Sequence, residues 1–369
     1  MAAWMADTER FGRFFLPGPT EVLPEILAAL SRPMIGHRGR GMEELMAGIQ
    51  PRLQRVFRTT RPVYIGTCAA TGFMEGAVRN GARTRVLSLV NGAFSERFHH
   101  IARSCGLQAD ALHVPLGSVH TPDQLRDALR KADYDAVTVV HSETSTGALN
   151  PIGDLSSVVH EAGDVVFLVD SVTGVGGARV ETDAWQLDFV LTGSQKALAL
   201  PPGLSFGVAN ERILSRAAGN PNRGVYFDFL EFESYGKKHQ TPGTPALSII
   251  YALAIQMERI ERETIEGRWA RHEEMASRTW SWAEGLAADG VDVKVLAPPG
   301  FRSPTVTCLS LPSGRTGTEV NAAVKAKGFT IAAGYGALRD STIRIGHMGD
   351  HTVEELDTVL SVIRDVLVA

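Results

Sequence analysis

Five short apolar runs, spaced by segments of helix length, constrain this chain more than any other feature. RVLSLV (85–90), AVTVVH (136–141), VVFLVD (165–170), DFVLTG (188–193) and LSFGVA (204–209) are too short for core helices and rich in Val, Leu and Phe. Turn residues bound each of them, so they read as strands buried on both faces. Between them, TPDQLRDALRKA (121–132) and PIGDLSSVVHEAG (151–163) carry helical spacing. Strands alternating with helices predict an α/β fold around a mostly parallel sheet.

The pattern then changes. Residues 244–290 show no strand signal and predict two helices. VDVKVLA (291–297), PTVTCLSL (304–311), FTIAAG (329–334) and STIRIGH (341–347) follow, with helical segments at 317–327 and 352–367. These predict a smaller C-terminal α+β domain. With 369 residues the chain is long enough for two such units. The expected division is 1–20, 21–258 and 259–369.

Charge and cysteine content narrow the classes. A net charge of −4 leaves no basic footprint for nucleic acid. No stretch reaches the roughly 18 apolar residues of a membrane span, and the N-terminus lacks a signal-peptide pattern. Cys68, Cys105 and Cys308 are odd in number and far apart, with no CxxC or zinc-ligand spacing. A cytoplasmic protein without a structural metal is the expectation.

Parallel sheets bind ligands beyond the carboxyl ends of their strands. Three polar stretches stand there: HSETSTG (141–147), DSVTG (170–174) and TGSQK (192–196). Asp170 is either a turn carboxylate or a buried carboxylate facing a cation on a ligand. Lys196 is followed by ALAL and two prolines, which makes a solvated surface lysine a poor description. A lysine held among apolar groups has a lowered pKa and becomes an amine nucleophile. An aspartate at one strand end and a lysine at the next suit pyridoxal 5′-phosphate. That cofactor needs an amine for its aldehyde and an acid partner for its pyridine nitrogen. GTCAATGFMEGAVRN (66–80) leads small residues into a helical pattern, and a helix start offers N–H groups to a phosphate.

Taken together, PGPTEV (17–22), GHRG (36–39), ATGFMEGAV (70–78), NGAFSERF (91–98), HSETSTG, VDSVTGVGG (169–177), TGSQKALALPPGLSF (192–206) and IRIGHMGD (343–350) resemble the class V, fold-type I, pyridoxal-phosphate-dependent aminotransferases. The likeness is strongest to the alanine–glyoxylate and serine–glyoxylate branch. It implies a large domain with a mostly parallel seven-stranded sheet and a homodimer with active sites at its interface. It also implies ping-pong transfer of an amino group from alanine or serine to a 2-oxo acid such as glyoxylate.

The resemblance also implies roles. Lys196 would hold the cofactor as a Schiff base and serve as general base, and Asp170 would pair with the ring nitrogen. Ala70, Thr71 and Gly72 would bind the phosphate, with Gln195 beside them. Phe94 would stack on the ring, where the family often has tryptophan. Thr144 or Ser145 would reach the phenolic oxygen. Thr244, or else Thr241, would reach the phosphate in the other subunit. Arg344 would bind the substrate α-carboxylate through its planar fork. Gly18 and Pro19 would form the substrate-side loop of the N-terminal segment. Arg38, with His37, would either contact a substrate's distal anion or order the entrance. Two other class V chemistries compete. A phosphorylated-substrate aminotransferase would use that His–Arg pair. A cysteine desulfurase would need a mobile nucleophilic cysteine, and usually a histidine where Gln195 stands. A third possibility is a non-catalytic α/β protein.

Overall fold

The computed structural model describes residues 11–369, so residues 1–10 of the expected N-terminal segment lie outside the described residues. Seven strands form the main sheet: β1 (Tyr64–Gly66), β2 (Arg85–Val90), β3 (Gln108–His113), β4 (Ala136–Val140), β5 (Val166–Asp170), β6 (Phe189–Gly193) and β7 (Ser205–Ala209). Their order is β1-β7-β6-β5-β4-β2-β3. β7 runs antiparallel to both neighbours and the other pairings are parallel, so six strands share one direction.

The five runs picked from the sequence are β2, β4, β5, β6 and β7, each within a residue of its expected limits. Their apolar continuity follows from burial on both faces. In β5, Phe167 and Val169 face a cluster with Val139, Val190, Leu253 and Met257. Val166 and Leu168 face the opposite cluster with Phe73, Phe98 and Phe189. A strand with two dry faces cannot alternate polar and apolar residues.

Beyond residue 290 a second sheet forms from β8 (Lys294–Val295), β9 (Val306–Ser310), β10 (Ala332–Ala333) and β11 (Thr342–Gly346). Its order is β8-β9-β11-β10 and all its pairings are antiparallel. The 244–290 stretch is two helices, Leu247–Glu263 and Ile265–Ala288, broken at Thr264, which sits at φ 65°. Apolar residues up to Ile265 pack with the main sheet, while those from Met275 onward, together with Phe15, pack around the second sheet.

Phe15 is there because the N-terminal segment threads between the two sheets. Its N–H donates to Thr330 O (2.7 Å), and its carbonyl accepts from Gly346 N (2.9 Å). That threading brings Pro17–Thr20 onto the carboxyl end of the main sheet.

Candidate active site

β5 ends on Asp170 and β6 on Gly193, as neighbouring parallel strands. Lys196 lies three residues past Gly193, on a tight turn where Ala199 N bonds Lys196 O (2.8 Å). Both Asp170 and Lys196 are nearly inaccessible, at 3% and 9% exposure. Burial pushes the Asp170 carboxyl up to about 7; the nearby Glu143 adds to the rise, while the Val172 N–H, Lys196 and Arg97 oppose it. Burial lowers Lys196 to about 8, helped by the positive charge of Arg344. The lysine is thus partly neutral near neutral pH, as an amine nucleophile or base requires.

The N-terminal strap holds this lysine. Lys196 Nζ donates to Pro17 O. Thr20 N–H donates to Gln195 O (2.9 Å) and Thr20 Oγ1 to Lys196 O (3.1 Å). Gly18 sits at φ 111°, and a Cβ there would collide with the Lys196 side chain. Glycine is therefore required twice at that position, for its dihedral and for its missing side chain. Pro19, joined to it by a cis peptide, continues the strap.

Arg344 comes from β11 and is 8% exposed. Its Nε donates to Ala333 O (3.1 Å) and its Nη1 to Thr144 O (3.5 Å), which fixes the guanidinium at the junction of the two sheets. Thr144 Oγ1 meets Thr173 Oγ1 (3.3 Å). Ser145 Oγ bonds Glu143 and accepts from Ala93 N (3.0 Å), so that hydroxyl serves the start of helix Ala93–Ser104. Phe94, also at that helix start, stacks on Tyr335 with ring centroids 5.3 Å apart.

Helix Ala70–Gly81 starts beside β6. Its N-cap, Ala69, has no side chain able to cap it. Gly72 N–H bonds Ala69 O (2.8 Å), while the N–H groups of Ala70 and Thr71 find no acceptor among the described residues. A Cβ on Gly193 would touch both Gln195 Oε1 and the Ala70 Cβ, so the Gln195 amide lies against this open helix start. An uncapped helix start is a ready anion site.

Thr241 and Thr244 belong to a loop elsewhere. Thr241 is buried and bonds Gly243 O (2.7 Å), whereas Thr244 is exposed. Arg38 joins that loop rather than the lysine: it donates to Thr241 O and Pro242 O (2.8 Å) and lies over the Tyr235 ring. Half-buried His37 precedes it.

Three participants carried no role in the sequence: Glu143, Arg97 and Tyr335. Glu143 is fully buried and accepts from Ser95 N (2.9 Å), Ser95 Oγ (3.0 Å) and Phe94 N (3.3 Å), so it anchors the Phe94 helix start. The legible signal for Arg97 was its position three residues after Phe94, on the same helical face. For Tyr335 it was the flanking pair Gly334 and Gly336.

Cys308 is fully buried in β9, and burial pushes its thiol up to about 11, the opposite of what a nucleophile needs. Among the described residues, no group of three or more His, Cys, Asp or Glu side chains is placed to hold a metal ion. No described helix is long and apolar enough to cross a membrane.

The family model for class V aminotransferases matches residues 67–359. The chain belongs to the class V aminotransferase family. It is 37% identical over 340 residues to an uncharacterized aminotransferase of Methanocaldococcus jannaschii, covering 90% of this chain and 87% of that one. It is 29% identical over 361 residues to a serine–glyoxylate aminotransferase of Methylorubrum extorquens, covering 94% and 89%. The structure of an alanine–glyoxylate aminotransferase from Nostoc sp. superposes with a TM-score of 0.90 at 27% identity, covering 96% and 95%. The chain is an aminotransferase of fold type I, and its cofactor is pyridoxal phosphate. The donor set fits that group: an open helix start for phosphate, a buried acid for the ring nitrogen, and a partly neutral lysine for the aldehyde.

Proposed function

We propose that this aminotransferase moves the amino group of a small L-amino acid, alanine or serine, to a 2-oxo acid such as glyoxylate. The observation that carries this reading is the convergence of Lys196, Asp170 and Arg344 at the carboxyl edge of the main sheet. Bound pyridoxal phosphate supplies the electron sink. The open N–H groups of Ala70 and Thr71, with Gln195, would hold its phosphate, beside Gly72, whose own N–H is taken by Ala69 O, and Asp170 would keep its ring nitrogen protonated. Phe94 would support the ring face, and Thr144 would reach the phenolic oxygen in preference to Ser145, whose hydroxyl is taken by Glu143.

Arg344 grips the substrate α-carboxylate and thereby orients the Cα–H bond. Lys196 Nζ, freed from its covalent role, takes the Cα proton. The strap at Gly18 and Pro19 closes the substrate side and keeps water away. The first product leaves before the second substrate enters, so one set of groups serves both halves of the exchange.

The working form is a cytoplasmic homodimer, with large unit 21–258 and small unit 259–369. Three thiols without disulfide partners support the compartment. Exposed Met34, Ile35, Val225 and Tyr226 support the dimer, in which Thr244 would face the other subunit's phosphate.

The test is a half-reaction screen. Amino acids are added singly to the coloured protein, and loss of its visible band is followed. Alanine or serine should bleach it, and Lys196→Ala should not turn over at all. Phosphoserine acting far faster than either would refute the choice of substrate.

A further inference from the structure

Helix Ala93–Ser104 places Arg97 one turn past Phe94, with its Cζ 5.0 Å from the Phe94 ring centroid. Arg97 Nη2 donates to the Tyr335 hydroxyl (3.2 Å). Tyr335 stacks on Phe94 and also lies under Arg344, whose Cζ is 5.4 Å from its ring centroid. One tyrosine thus has a guanidinium at its ring and a second at its hydroxyl.

Arg344 has an assigned partner, the α-carboxylate. Arg97 has none: among the described residues it forms no ion pair, and its hydroxyl and ring contacts leave most of its five N–H donors open. The two buried carboxylates nearby are already engaged. Glu143 accepts from the Phe94 helix start, and Asp170 accepts from Val172 N–H (2.8 Å). Arg97 also bears on the site electrostatically, since its charge works on both Lys196 and Asp170. A guanidinium held between two aromatic side chains with most of its donors open is placed to take an anion from a ligand.

We propose that Arg97, positioned by Tyr335 and Phe94, receives the side-chain carboxylate of a dicarboxylic substrate. The proposal rests on the transamination described above and widens its substrate class to acidic amino acids and their 2-oxo acids. Arg344 and Arg97 then bind the two ends of one diacid across Tyr335. A small neutral donor uses Arg344 alone.

Calorimetry with the holoenzyme tests this using two unreactive ligands, succinate (two carboxylates) and propionate (one). Half-reactions with aspartate, glutamate, alanine and phosphoserine run beside it. Succinate should bind the native enzyme more tightly than propionate. Arg97→Met should raise the succinate Kd and the aspartate KM by about 10- to 100-fold, the range for losing a charge-assisted pair. It should leave the propionate Kd within about threefold. Tyr335→Phe, which removes only the hydroxyl, should shift succinate in the same direction by less.

Equal losses for propionate and succinate would overturn the assignment, as would succinate binding no tighter than propionate in the native enzyme. Phosphoserine preferred over both dicarboxylic amino acids by more than about tenfold would assign Arg97 to phosphate instead and overturn it too. If Arg97→Met fails to fold, an unchanged succinate Kd in Tyr335→Phe rejects the proposal. If no amino acid bleaches the cofactor, the transamination itself fails, and succinate binding still reports on Arg97.

Discussion

Asp170→Asn should stabilise the cofactor-free protein while weakening its hold on the cofactor. Asp170 is 3% exposed, and burial lifts its carboxyl from the usual 3.8 to about 7. Between those values the folded chain holds a proton there that the unfolded chain has released. The contribution of Asp170 to stability is therefore full below pH 4 and falls as pH rises toward 7. That displacement corresponds to about 4 kcal/mol once pH exceeds 7. Asparagine keeps the oxygen that accepts from Val172 N–H (2.8 Å) and carries no charge to desolvate. Part of the gain is lost because Asp170 also favours the charged form of Lys196. The net expectation at pH 8 is a gain of roughly 2–4 kcal/mol, shrinking toward zero near pH 4. Urea titration followed by the fluorescence of the five tryptophans measures it across that range. The holoenzyme should change in the opposite sense, because the ring nitrogen loses its anionic partner. A pH-independent gain, or a wild-type apoprotein more stable than the variant at pH 8, would refute the reasoning.

Three further substitutions probe other parts of the site. Arg344→Ala should lower kcat/KM for α-amino acids by about 100-fold while the visible cofactor band stays, since the residue holds substrate rather than cofactor; loss of that band would contradict its role. Gly18→Ala puts a Cβ against Lys196 at φ 111°. It should destabilise by at least about 1–2 kcal/mol from the backbone alone and should reduce covalent cofactor content, read by borohydride reduction. Arg268 is 1% exposed and bonds Asp350 (2.8 Å), Glu263 (2.9 Å) and Ala197 O (2.7 Å). Arg268→Met leaves Asp350 buried without its cation and should cost about 3–5 kcal/mol in urea titration.

Much of this was legible in the chain itself, and the exceptions have physical causes. The five strands found were the interior ones, whose two dry faces force continuous apolar runs. The two missed, Tyr64–Gly66 and Gln108–His113, are the two edges of the sheet. One is three residues long, and the other, QADALH, is exposed at both ends and only half-buried between them. An edge strand makes weaker demands on composition, so its signal fades. In the site, Lys196 and Asp170 stood out because a charge next to a buried strand needs an explanation. Glu143 sat inside a quoted motif without a role, because its partners are backbone N–H groups 48 and 49 residues away. Tyr335 meets Phe94 only through tertiary packing between the two sheets, which no local pattern encodes.

The strap over Lys196 has a consequence for biosynthesis. Lys196 leans on Pro17, but the strap is itself pinned by Thr330 and Gly346. A ribosome adding about 5–20 residues per second needs on the order of ten seconds to pass from Lys196 to Gly346. For most of that interval the bonds available to hold the strap are those to the lysine's own turn, from Lys196 Nζ to Pro17 O and from Thr20 to Gln195 O and Lys196 O. The strap gains its remaining anchor, Gly346 N–H on Phe15 O, only when β11 docks, so the last strand of the second sheet completes the cover that the lysine's own turn begins.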